Sequence, residues 1–107
     1  MISCIVEYKI DPQKVTLFED YARRWMAAVA RLGGTHHGYF LPGKDGGDRA
    51  VCIFSFPSMT DYKAYRLRAA DDPECIAILD QEKAERSIIS YTGSFFRPLL
   101  PEADPPT

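Results

Sequence analysis

His36 and His37 are the two histidines of the chain, and imidazole is the side chain best suited to moving a proton near neutral pH. They lie in a segment read as a strand, Thr35 to Leu41, so neighbours along it point to opposite faces of a sheet. Two imidazoles on opposite faces cannot chelate one metal, and no cysteine or carboxylate stands beside them at ligand spacing, so no metal site is expected. One of them is a candidate general base instead. Strict alternation puts His37 on the face of Tyr39, and this pair is assigned as the candidate catalytic residues. Trp25, His36, Tyr65 and Tyr91 are the candidate ligand-binding residues, outlining an aromatic pocket between sheet and helices that suits a small planar molecule. The plainer alternative makes these aromatics core and leaves Arg66 and Arg68 on a solvated helix face. Glu7, a carboxylate in an otherwise apolar strand, requires a partner, and an arginine across a dimer interface is the expected one.

The elements that must position these groups follow from periodicity. Ile2, Cys4, Val6, Tyr8 and Ile10 alternate as a first strand, and Asp11-Pro12 supplies a helix start through a capping carboxylate and a proline at the first turn. Val15, Phe18, Ala22, Trp25, Met26 and Val29 recur every three or four residues, predicting a helix to about Leu32, where Gly33-Gly34 ends it. The second strand, Thr35 to Leu41, turns at Pro42-Gly43 and the Lys44–Asp48 loop into a third, Arg49 to Phe56, whose continuous apolar run reads as a central strand. Ser58 with Asp61 three residues on caps a second helix. Asp72-Pro73 opens a further short helix ending near Glu85, and Arg86 to Phe96 forms the last strand.

This order, β-α-β-β-α-β, predicts an α+β, ferredoxin-like domain with a four-stranded antiparallel sheet and helices on one side. A chain of 107 residues holds one such domain, residues 1–97, followed by a Pro-rich C-terminal tail, residues 98–107. A lone sheet should show water a polar second face, yet Val51 and Ile53 oppose Cys52, Phe54 and Phe56. The expected remedy is a homodimer through the sheet face, a dimeric α/β barrel. A net charge of −2 lacks the positive field that draws a protein to phosphate backbones, so nucleic acid is not an expected partner. Neither a membrane span nor a signal peptide is visible, and no glycine-rich phosphate loop indicates a cofactor. Three widely separated cysteines, Cys4 and Cys52 on core strands and Cys75 on a helix, fit a reducing, cytoplasmic setting.

The stretch Gly33 to Cys75, GGTHHGYFLPGKDGGDRAVCIFSFPSMTDYKAYRLRAADDPEC, resembles the core of the NIPSNAP family. The shared pattern is Gly-Gly before a strand, Gly-Tyr-Phe-x-Pro at Gly38 to Pro42, a glycine-containing turn, a strand ending near Pro-Ser, and a Tyr/Arg-rich helix leading to Asp-Pro. Asp48 and Cys75 stand where the family often has Asn and Trp. The resemblance implies a dimeric α/β-barrel fold shared with cofactor-free monooxygenases, and no particular reaction. Two functions follow as expectations: a small-molecule-binding or scaffold dimer, or alternatively a cofactor-independent monooxygenase or isomerase acting on a small aromatic or polyketide-like substrate.

Overall fold

Alternating residues at the N-terminus form β1 (Ile2–Ile10) in the computed structural model, which describes residues 1–101. There follow α1 (Val15–Arg31), β2 (Thr35–Phe40), β3 (Arg49–Phe56), α2 (Met59–Asp71), α3 (Pro73–Glu85) and β4 (Ile88–Phe96). The strands make one antiparallel sheet in the order β2-β3-β1-β4. This is the α+β, ferredoxin-like arrangement, with α3, a full 13-residue helix, added before the last strand. Of the expected tail, residues 98–101 carry no helix or strand, and residues 102–107 lie outside the described residues.

Two helix starts follow the expected capping chemistry and one does not. At α2 the Asp61 backbone N–H donates to Ser58 Oγ at 3.1 Å, while the Ser58 hydroxyl donates to the Asp61 carboxylate at 2.7 Å. At α3 the Cys75 N–H donates to Asp72 Oδ2, and Arg31 forks onto the same carboxylate at 2.8 and 2.7 Å. That guanidinium, with the backbone donor, holds the Asp72 carboxyl well below its ordinary range. Asp11, by contrast, does not cap α1. Its carboxylate accepts from Gln13 N at 2.9 Å in a local turn, and Lys14, at the cap position, sends its ammonium to the Glu85 carbonyl that ends α3. The helix therefore begins at Val15, several residues later than Asp11-Pro12 predicts.

The register assigns every strand residue a face. Tyr8, Ala50, Cys52, Phe54 and Phe56 face the helices, where Phe18, Tyr21, Val29, Tyr62 and Tyr65 meet them. α3 closes the helix layer against α1 through Ala28, Cys75 and Ile78. The other face carries Ser3, Ile5, Glu7 and Lys9 from β1, with Arg49, Val51, Ile53 and Ser55 opposite them on β3. No helix covers it. The shortest dimension, 20 Å, is that of one sheet and one helix layer.

Candidate functional site

The two histidines are separated by an irregularity. His36 pairs with Phe54 and Gly38 with Ile53, so His37 is an extra residue on β2, a β-bulge. The bulge corrects the expected pairing of His37 with Tyr39: Tyr39 lies opposite Cys52 on the helix-facing side, with His36, whereas His37 bonds to Ser55 on the open side. Strict alternation fails because one inserted residue shifts every following side chain by one position. Gly38 absorbs the distortion with φ at +113°, a region side-chain-bearing residues rarely enter.

His36 is fixed on both sides. Its ring stacks on Tyr39, with centroids 5.0 Å apart and planes within 13°, and on Phe54 at 5.8 Å. The N–H of Gly38, released from the ladder by the bulge, donates to His36 Nδ1 at 3.0 Å. Burial, followed by the neighbouring His37, pushes the pKa of His36 down to about 4. The ring is thus neutral at pH 7 with its proton on Nε2 and its lone pair already engaged.

His37 belongs to a different network. Its Nε2 lies 2.7 Å from Ser55 Oγ, which lies 2.6 Å from Ser3 Oγ. Ser3 and Ser55 are cross-strand partners on the two central strands and are almost wholly buried, at 6% and 2% exposure. Among the described residues, Ser3 Oγ has no other side-chain partner. If Ser3 donates to Ser55 and Ser55 to Nε2, every hydroxyl proton has an acceptor; reversed, the Ser3 proton is buried without one. The direction Ser3 to Ser55 to His37 is the one that satisfies both hydroxyl protons. In that direction a neutral His37 ring carries its proton on Nδ1, and His37 itself is exposed.

The expected aromatic pocket is filled by its own walls. Tyr8, Phe18, Tyr21 and Tyr39 pack ring against ring, with centroid separations of 5.2 to 6.5 Å. Burial raises the hydroxyl pKa of Tyr8 and Tyr39 far above the ordinary phenol value, and that of Tyr21 to about 12. These phenols stay protonated. Trp25 lies further along α1, 6.3 Å from Tyr21 and against the cluster joining α1 to α3, with no hydrogen-bond partner for its indole N–H among the described residues. Tyr65 is buried on Phe56, 4.8 Å away, and Tyr91 lies on edge strand β4, 71% exposed and 6.3 Å from Tyr8. The six assigned residues therefore divide: His36 and Tyr39 touch, while Trp25, Tyr65, Tyr91 and His37 each stand apart.

The expected partner of Glu7 also changes. Arg49 of the same chain reaches it at 2.9 Å, because β1 and β3 pair with Glu7 and Arg49 near each other at one end of the open face. With Lys9, Asp48 and Tyr91 they line a shallow depression of about 400 Å³. Sequence reasoning passes over Ser3 and Ser55, each a single hydroxyl in an apolar strand, because their meeting depends on cross-strand register. Among the described residues no group of side chains could hold a metal, and no helix is long and apolar enough to cross a membrane.

Comparison with known proteins agrees with this architecture. The NIPSNAP family model matches residues 4–100. A NIPSNAP family protein of unknown function from Agrobacterium tumefaciens superposes with a TM-score of 0.77 at 19% identity, over 92% of this chain and 87% of that one. An uncharacterized NIPSNAP domain protein from Burkholderia xenovorans gives 0.72 at 19% identity, over the whole of both chains. The protein from Nitrosomonas europaea named "Putative antibiotic biosynthesis monooxygenase" gives 0.70 at 15% identity, over 94% of this chain and all of that one. At such identities the likeness concerns the fold. No curated protein matches the sequence.

Proposed function

The chain belongs to the NIPSNAP family, and from that premise we propose that it is a homodimeric module that lays its open sheet face against a second copy and holds a small molecule there. The observation that carries the reading is the contrast between the two faces of the sheet. The helix side is filled by interlocking rings, whereas the other leaves Ile5, Val51 and Ile53 half-buried and Phe40 and Phe96 more than half exposed. Covering such side chains gains roughly 25 cal/mol for each Å² of apolar surface removed from water. A second copy supplies the matching apolar surface.

Binding, rather than base catalysis, is supported by the histidines. His36 Nδ1 already accepts from Gly38, and His37 Nε2 is hydrogen-bonded to Ser55, so both of these nitrogens are engaged within the chain. The cofactor-independent oxygenase or isomerase expected from sequence gives His37 the role of base, which an engaged Nε2 does not favour. Three buried, unpaired thiols support a cytoplasmic setting. Sedimentation equilibrium at micromolar concentration tests the assembly: a dimer is expected, and a stable monomer overturns the reading.

A further inference from the structure

We propose that Ser3 and Ser55 are positioning residues that lock His37 as an outward hydrogen-bond donor, and that the ligand they serve is an apolar molecule bearing a carboxylate or carbonyl oxygen. The inference rests on the ligand-binding reading above and names the chemistry of its ligand. Three features build the site. Ser55 is 2% exposed yet holds two side-chain hydrogen bonds, to its cross-strand partner Ser3 at 2.6 Å and to His37 at 2.7 Å. The bulge at His37 takes the imidazole out of alternation and places it over that hydroxyl pair. The proton accounting then leaves Nδ1–H as the polar group that the ring offers outward.

The surroundings select the ligand. Along the open face the next cross-strand row is Gly38, Ile53, Ile5 and Ser94, followed by Phe40, Val51, Glu7 and Thr92. Glu7 shares the row of Val51 but is paired to Arg49, which lies with Lys9 in the last row of β1 and β3. A molecule lying along β2 and β3 meets the His37 ring at its head, beside Thr35, and Gly38, Ile53, Phe40 and Val51 along its body. It therefore needs one acceptor and little else. An oxygen that accepts from Nδ1–H also polarises the chain behind it, so that Ser55 and Ser3 strengthen the contact without touching the ligand.

Nitrogen-15 NMR of the intact protein tests this directly. In wild type His37 is expected as the Nδ1–H tautomer, with Nε2 unprotonated and hydrogen-bonded; the opposite tautomer overturns the proposal without any variant. Benzoate is expected to shift His37 Nδ1 saturably, while toluene, the same apolar body without the acceptor, leaves it unmoved. Ser55→Ala is expected to release the tautomer and weaken benzoate about tenfold, and Ser55→Thr, which keeps the hydroxyl, to restore both. Ser3→Ala, which leaves the Ser55 to His37 bond intact, is expected to fall between. No saturable benzoate shift in wild type, or equal binding by Ser55→Ala, overturns the proposal. Sedimentation of the same samples separates the two readings: a dimer with the wrong tautomer refutes the donor site alone, and a monomer with the right one refutes the assembly alone.

Discussion

His36 and His37 are adjacent in sequence and opposite in surroundings, and the difference appears in how folding depends on pH. His36 titrates at about 4 in the folded protein and near the ordinary 6.5 when unfolded. Between those values the unfolded chain binds more protons than the folded one, so stability falls as pH drops from 6.5 to 4, and above 6.5 this group contributes no slope. Allowing for solvent screening of a partly exposed ring, the loss attributable to His36 is about 1–2 kcal/mol. Urea unfolding at pH 7.5 and 4.5 measures it, with His36→Phe as the comparison, since phenylalanine keeps the stack on Tyr39 and Phe54 but cannot titrate. The variant is expected to lose less stability over that interval by the stated amount. An equal loss in both proteins would assign the acid sensitivity to carboxylates.

Two glycines carry constraints that belong to elements rather than to single contacts. Gly34 sits where α1 hands over to β2, and a Cβ there would meet Phe56 Cζ and Val29 Cγ1 at 2.7 Å each. Gly38 has open space around its missing Cβ but a φ of +113°. Alanine at 34 is thus expected to cost about 1–3 kcal/mol by overpacking, and alanine at 38 a similar amount by backbone strain. Denaturant midpoints check both totals, and NMR distinguishes the causes. Only Gly38→Ala should disturb the His36 stack while leaving Phe56 in place. This is also where legibility from sequence divides. Alternation, the Ser58 and Asp72 caps and the apolar run of β3 are local signals, and each element they announce is present. A bulge inserts one residue with no local signature beyond a glycine, so the face of Tyr39 was beyond reach of a period-two rule. The diversion of Lys14 to Glu85, which delays α1, is likewise a contact across 71 positions of sequence. The Ser3 and Ser55 pair spans 52 and becomes visible only when register is known.

At the scale of the molecule, the open face is the property that demands an explanation. Four strands about 4.8 Å apart and six to nine residues long present an area of roughly 20 by 25 Å, on the order of 500 Å² from each copy. Two copies together would bury about 1,000 Å², the lower bound for a specific, stable interface. The row at its centre is Ile53 and Ile5, both half-buried within one chain and flanked by the hydroxyl pair on one side and Val51 on the other. A carboxylate introduced there would be desolvated on association with no cation in the same row, whereas in the monomer it would remain at the water boundary. Ile53→Glu is therefore expected to convert the dimer to a monomer in sedimentation equilibrium at micromolar concentration while the circular dichroism spectrum stays that of the folded chain. Leu67→Glu, at a helix residue 75% exposed on the opposite side, is the matched control and should remain dimeric. Dimerisation unaffected by Ile53→Glu would place the interface elsewhere and leave the apolar face to a different occupant.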